Sequence, residues 1–588
     1  MIGNSTSEYF FIRTCITSLR LVAPVSLLYL PLSWYHGSWL VSKWLGIWCA
    51  SEVVFYLGVY LPRKAILQEA AQHPPRLSRP EREALFNRCA LHLRQASHTT
   101  GCFFSPPSST DIKRDNAIEW LHWALFNHRP GKTPLRKRPA ILSSTADEAT
   151  RLLEGNGFAE AGKGVDGVDE EDWEEEIEGY LKIMGDSIGH PLEPGRNDKV
   201  QSMTLTFDPV LMLHRPLVWY SIIALTDTIT SAHLISLGFK HYTPHNTLLK
   251  VFPPRPLTAF SRTSVSNDLS YWYRPHRSKT KLPILFIHGI GIGLWPYVHF
   301  IQELINQDPE VGILALEILP ISSRITNPPL ARQAFLSELR KILDSISFSS
   351  PSSSSTTSQQ YLLISHSYGT FLTSHILHSP LSSRFPCIIL VDPIPFLLHH
   401  PSVAYNFVYR VPKTGPQWQL WYFASRDPDV ARAISRWFFW SEGSLWREDL
   451  GIGEDVGEGS SRENVVAGGE GIGGGNTGVG ENGDERVDGL VDVGKGKEKR
   501  RCLVVLSGSD QIVDSQEVFP YLTLGQPALC ERSSENEERL RWRDEKGRLE
   551  VVLCEGLDHA MVFDSLGRRS VLLEGVKGLQ DGMSVRSA

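Results

Sequence analysis

Paired cysteine chemistry is the first thing the sequence lacks. Its eight cysteines, at 15, 49, 89, 102, 387, 502, 530 and 554 of 588 residues, form no CxxC pair and no metal-ligand spacing, so no metal-binding pattern is present. Cys387, Cys502 and Cys554 lie in or beside apolar runs, the setting of buried free thiols rather than of a disulfide framework. That usage fits a reducing compartment. Charge of one sign is also missing. Lys and Arg number 59 against 65 Asp and Glu, for a net charge of −6, which points to neither nucleic acid nor a strongly acidic partner. Phosphate loops are absent too: the glycine-rich HGIGIG at 288–293 lacks the G-x-x-x-x-G-K-[ST] pattern and fails the G-x-G-x-x-G register. No repeat of 20–50 residues is apparent. The length exceeds an ordinary domain, so one large domain with appended segments is expected.

What is present begins with Leu21–Leu61, almost wholly apolar and aromatic, interrupted by His36, Lys43 and Glu52. A spanning helix takes about 20 residues, so one or two spans fit, with a break at YHGSWLVSK (35–43). The stretch is too long for a signal-peptide core and has no clear small-residue cleavage site. Trp34, Trp39, Trp44 and Trp48 suit a water–lipid boundary, while Pro24, Pro31 and Glu52 weaken both helices. Arg13 and Arg20 precede the zone, Arg63 and Lys64 follow it, and only Lys43 lies between. The positive-inside rule then leaves both ends of a hairpin in the cytosol. Residues 1–64 are therefore expected to anchor an integral membrane protein whose remaining chain is cytosolic.

Residues 65–244 read as a helical and irregular region. Pro74, Pro75 and Pro80 make a linker, and 81–95 has helical periodicity. The basic patch Lys132–Arg138 and the acidic run DEEDWEEEIE (169–178) read as solvated surface. Pro216–Phe239 reads as a buried or lipid-contacting helix. From about 245 short apolar runs alternate with helical segments: TLLKVF (247–252), LSYWYR (269–274), PILFIHG (283–289), GILALEILP (312–320), YLLISHS (361–367), CIILVD (387–392), CLVVLS (502–507) and EVVLCE (550–555). Strands apolar on both faces and separated by helices imply a mostly parallel sheet covered on both sides. Two low-complexity inserts interrupt the pattern, SSPSSSSTTS (349–358) and the Gly-rich acidic stretch 451–499, which should be disordered. The core domain would then comprise 245–450 and 500–588.

The chemistry centres on ISHSYGT (364–370). A serine between a buried strand and a helix, flanked by small residues two positions either side, is the nucleophile-elbow pattern. A tight turn must lift Oγ clear of the sheet, where bulk at those positions would clash. Ser365 replaces the usual first glycine. Upstream, His288-Gly289 closes an apolar strand. A backbone N–H there, with Ile290 favoured within Gly289–Gly291, would join the N–H of Tyr368 as an oxyanion hole. Downstream, Asp510 in GSDQIVD ends one strand and His559 in GLDHAMVF follows the next. Ser367, Asp510 and His559 thus stand in the order nucleophile, acid, base. Asp392, at the end of the preceding strand in LVDPIP, is a second candidate acid, and Asp514 a third. Otherwise Asp392 would cap the helix entry beside Pro393.

On these motifs, residues from about 245 to 445 and 500 to 580 resemble the α/β-hydrolase superfamily of serine esterases and lipases. With the N-terminal membrane segment, HGIGIG, SHSYG, VDPIPFLL and GLDHA, the chain resembles fungal membrane-anchored hydrolases. The resemblance implies an α/β fold, its mostly parallel sheet covered by helices on both faces, with N-terminal transmembrane segments and a helical cap. It implies ester, thioester or amide cleavage with no cofactor and no metal. The superfamily also contains acyltransferases, non-catalytic members and epoxide hydrolases, the last needing Asp where Ser367 stands. The aromatic-rich 393–450, with the anchor, tilts the expected substrate towards a hydrophobic, lipid-like ester. Membrane lipid is the other expected partner. Acyl transfer on the same residues, and a membrane-tethered interaction protein on an inactive fold, remain the alternatives.

Overall fold

The apolar runs assemble into a single sheet in the computed structural model, which describes residues 3–93, 112–129, 171–200, 202–245, 250–346, 359–452, 500–533, 535 and 537–584. Its eleven strands are β1 Lys240–Thr243, β2 Arg262–Thr263, β3 Ser270–Arg274, β4 Ile284–Ile287, β5 Ile313–Glu317, β6 Leu362–His366, β7 Cys387–Val391, β8 Arg501–Ser507, β9 Leu529–Arg532, β10 Glu538–Arg543 and β11 Leu549–Cys554. They are ordered β2-β1-β3-β5-β4-β6-β7-β8-β11-β10-β9. From β5 to β11 every neighbouring pair is parallel. β3 is antiparallel to both its neighbours, and β10 and β9 close the other edge as an antiparallel meander.

Alternation explains why the central strands are apolar throughout. Leu285, Ile287, Leu363, Ile388, Leu390, Val504 and Leu506 enter one core; their sequence neighbours Ile284, Phe286, Leu362, Ile364, Ile389, Val391, Leu503 and Val505 enter the other. Successive side chains point to opposite faces, and helices cover both, so neither set can be polar. Arg332–Ser345 and Tyr368–Leu377 pack on the first face, Val298–Gln307 and Leu566–Ser584 on the second. This is the α/β-hydrolase arrangement, with short helices in the cap region 393–450. Cys387, Cys502 and Cys554 are buried free thiols.

The described residues depart from the sequence reading in two places, at the first strand and at the acidic run. Of the strand expected at 247–252, residues 247–249 lie outside the described residues, and in the rest Phe252 makes an isolated bridge to Ile325. The first strand is instead the polar β1, KHYT. The acidic run is not simply solvated. It opens the helix Glu171–Ile188, whose Glu176 is buried and accepts from Arg82 Nε and Nη2 at 2.9 and 2.6 Å. Trp173, Ile177 and Tyr180 on the same helix join the main core with Phe86 and Trp120. The basic patch 132–138, the serine-rich 349–358 and 453–499 of the acidic insert lie outside the described residues.

At the N-terminus, Thr6–Tyr35 and Lys43–Ile66 are each long and apolar enough to cross a membrane. Small or slim residues (Ala23, Ser26, Gly46 and Cys49) are buried on these two helices, and the helices pack on each other. They are also joined to the rest of the chain. Ile12 and Ile16 pack on Tyr422, Arg13 lies 3.7 Å over the Trp418 ring, Arg63 pairs with Asp429, and Glu52 Oε1 accepts the Leu217 N–H at 2.8 Å. Leu217 begins the helix Leu217–Ser236, which exposes an apolar stripe of Val218, Ile222, Leu225, Ile229 and Ile235. Its one carboxylate, Asp227, faces inward, bound by Arg255 Nε at 2.9 Å and Arg324 Nη2 at 2.8 Å.

Candidate active site

The parallel register brings the ends of β4, β6, β7 and β8 level: Ile287 pairs with Ser365, His366 with Val391, and Val391 with Val505. The residues just beyond these strands, His288, Ser367, Asp392 and the loop with Asp510, therefore meet at one edge, the usual place for a site in such sheets. Ser367 occupies φ 51°, ψ −121°, a region costly for a residue with a Cβ. Its strain is held by β6 behind it and by the helix Tyr368–Leu377 ahead. Gly369 has no alternative, because a Cβ there would meet the carbonyl oxygens of Ile287 and His288. Ser365 fits where glycine is usual: it is buried, and its Oγ accepts from Thr373 Oγ1 at 2.8 Å.

The Ser367 hydroxyl lies 2.8 Å from His559 Nε2, and His559 Nδ1 lies 2.7 Å from Asp510 Oδ2. With Nδ1 against a carboxylate, its proton stays on Nδ1 and Nε2 is left to accept from Oγ. Asp510 is oriented in turn, Oδ1 accepting the Ile512 and Val513 N–H groups at 2.7 and 3.0 Å. Burial works against the charged imidazolium of His559, yet the carboxylates of Asp510, Asp392 and Asp558 outweigh it and raise its pKa above the ordinary value. A base so placed can take a proton from Ser367 and hold it.

The HGIGIG loop lies against the serine. A Cβ on Gly289 would come within 2.8 Å of Ser367 Cβ, so glycine alone allows this approach. His288 Nε2 accepts the Ile318 N–H at 2.9 Å, which leaves Nδ1–H to donate to the Gly289 carbonyl at 2.7 Å. A trans peptide aims its N–H opposite its C=O, so fixing that carbonyl also fixes the direction of the Ile290 N–H. The neighbouring amides are used: Gly289 N–H donates to Tyr297 Oη, Gly291 N–H to Ile321 O and Ser367 N–H to Val391 O. The N–H groups of Ile290 and Tyr368 have no acceptor among the described residues, and can serve an oxyanion.

The remaining candidates fall elsewhere. Asp392 does not bond His559; its Oδ1 accepts the Ser507 N–H at 2.9 Å and its Oδ2 the Ala560 N–H at 2.8 Å. Nor does it cap a helix as expected, because both oxygens are taken by the β8 end and the His559 loop. Asp514 caps the helix Ser515–Thr523. Sequence reasoning missed Asp558 and Gln511: Asp558 accepts from Gln511 N at 2.9 Å and Nε2 at 2.9 Å, stapling the loop of His559 to that of Asp510. The adjacency of Asp558 to the histidine was the only signal available. Beside Tyr368 a solvent-open cleft of about 100 Å³ is lined in part by Leu319, Pro320, Leu330, Phe335 and Leu372.

No protein-family model matches the sequence, and no curated protein does. Among solved structures the chain is similar to a bacterial membrane phospholipase A, with 11% identity over 63% of this chain and 94% of that one, at a TM-score of 0.33. It is also similar to carboxylesterase CesB of Bacillus subtilis, with 9% identity, coverage of 61% and 99% and a TM-score of 0.30. The naproxen esterase of the same bacterium gives 10%, 60%, 97% and 0.30.

Proposed function

We propose that this chain is a serine hydrolase that cleaves a hydrophobic carboxylic ester through an acyl-enzyme on Ser367. The observation that carries the reading is the unbroken hydrogen-bonded series Ser367–His559–Asp510, set beside two unclaimed backbone N–H groups. His559 Nε2 takes the Oγ proton as Oγ attacks the ester carbonyl. The oxyanion that forms is met by the N–H groups of Ile290 and Tyr368. Protonated His559 then gives its proton to the departing alkoxide, and the acyl group stays on Oγ. In the second half His559 deprotonates a water that attacks the acyl carbonyl, releasing the acid and restoring Ser367.

A lipid-like substrate and a membrane location are supported by the two apolar N-terminal helices, by the exposed stripe of Leu217–Ser236 and by the packing of Ile12, Ile16 and Arg13 against the cap. Apolar residues of the cleft beside Tyr368 suit an acyl chain. Hydrolysis of a medium-chain p-nitrophenyl ester by purified full-length protein tests the reading. Ser367→Ala should lower turnover by several orders of magnitude. Activity retained in that variant would move the chemistry to another residue.

A further inference from the structure

Beneath the three reactive groups lies a second polar set that the mechanism above does not use. His366, immediately before the nucleophile, and Asp392, at the end of β7, are both buried. Tyr297, nine residues beyond His288, is buried with them. The Tyr297 hydroxyl accepts the Gly289 N–H at 3.1 Å and lies 2.7 Å from His366 Nδ1. The Asp392 carboxylate facing Nε2 favours the proton of a neutral His366 on that nitrogen, which leaves Nδ1 to accept the Tyr297 hydroxyl proton. Burial keeps His366 neutral, pushing its pKa down to about 4. Nε2 faces Asp392 Oδ2 at 3.7 Å, a charge–dipole contact rather than a hydrogen bond. Asp392 in turn receives the Ser507 N–H from the end of β8 and the Ala560 N–H from the residue after His559.

Backbone strain marks the same place. Asp392 has φ 43° and Ala560 φ 67°, both in the left-handed region that non-glycine residues seldom enter, and the two are joined by the 2.8 Å hydrogen bond. Such strain persists only where its surroundings impose it. The set thus ends on one side at the oxyanion loop and on the other at the base loop.

We propose that Asp392, His366 and Tyr297 form a positioning relay that holds the two loops in register: Asp392 fixes the turn carrying His559, and Tyr297 with His366 fixes the Gly289–Ile290 peptide. The relay rests on the serine-hydrolase reading and assigns Asp392 a role other than that of the acid. Its charge also acts on the base. One side-chain nitrogen or oxygen from each of Asp392, Asp510 and His559 lies within 4.8 Å of the other two. The groups facing His559 are Asp510 from the loop after β8, Asp392 just beyond β7, Asp558 from its own loop and neutral His366 from β6, whose ring centroid is 5.1 Å away. Arg410 of the cap lies in the field of Asp510 and Asp558.

Asparagine cannot replace Asp392. Two N–H donors arrive at two oxygens, and an amide would turn its NH₂ against one of them. Full-length Asp392→Asn in lipid nanodiscs should show kcat reduced by about 10- to 100-fold through misplacement of the loop, with KM near wild type. The acid limb of its kcat/KM profile should move down by about one pH unit, because a negative charge beside the base is lost. Tyr297→Phe, which keeps the ring packing, should lower kcat by about tenfold through a looser oxyanion loop and leave KM and the acid limb unchanged. An Asp392→Asn protein with wild-type turnover or an unshifted limb would overturn the relay. Should that variant not fold, wild-type turnover in Tyr297→Phe overturns it instead. Fluorophosphonate labelling of the wild type separates the two levels: labelled wild type with unaffected variants removes the relay alone, while no labelling of Ser367 removes the hydrolase reading and the relay with it.

Discussion

Asp510→Asn perturbs the series at its most informative atom. In the native site Oδ1 of Asp510 accepts two backbone N–H groups and Oδ2 faces His559 Nδ1 at 2.7 Å. An asparagine keeps its oxygen on the backbone donors, which leaves Nδ2 as a donor towards the imidazole. His559 then adopts the tautomer with a bare Nδ1 and a proton on Nε2, the nitrogen that must receive the Ser367 proton. The side chain is isosteric and buried, so packing is conserved and only the tautomer and the imidazolium partner change. The expected cost is on the order of 10⁴ in kcat, or about 5 kcal/mol of transition-state stabilisation, with little change in KM because the Asp510 side chain is buried behind His559. The assay is steady-state hydrolysis of a p-nitrophenyl ester by purified variants matched in thermal midpoint. Turnover within tenfold of wild type would refute the reasoning. Were Asp392→Asn the silent variant instead, the acid would be Asp392 and the relay would fall.

Three further predictions concern the base, the apolar stripe and the N-terminal helices. The proposed base His559 would act only when neutral, so activity should fall as pH drops through its pKa. The neighbouring carboxylates place that limb above 6.5, the ordinary imidazole value; a limb below it, measured as kcat/KM against pH, would contradict the placement of those charges. Ile222→Glu with Leu225→Glu puts two charges on the exposed stripe and should weaken the protein's hold on liposomes without unfolding it. Deletion of 1–64 should release the chain from carbonate-washed membranes. Unchanged liposome binding in the double variant would show that the stripe does not meet lipid, and protease protection of 65–588 in intact microsomes would contradict a cytosolic catalytic domain.

The central sheet was legible because strands β4 to β8 and β11 bury both faces, and such runs admit few readings besides parallel strands under helices. The edges were not. β1 is KHYT and β10 ERLRWR, polar stretches that become strands only because a neighbour supplies the ladder. Tertiary context likewise turned Glu176 inward, since only the fold brings Arg82 to it. At the site, the elbow is a local pattern: Ser367 and Gly369 are two residues apart, and their constraint can be read from sterics alone. The choice between Asp392 and Asp510 could not be read that way. Both follow apolar strands, and the difference lies in which oxygen meets Nδ1 across the sheet edge. Tyr297, His366 and Asp392 are separated by dozens of residues, and nothing periodic joins them.

Peptide mass spectrometry of the fluorophosphonate-treated full-length protein tests the central claim most directly. The account predicts one covalent adduct, on Ser367 within ISHSYGT, which forms in wild type and is lost in both Ser367→Ala and His559→Ala. An adduct on any other serine, or a folded wild-type protein that takes up no probe, would contradict it.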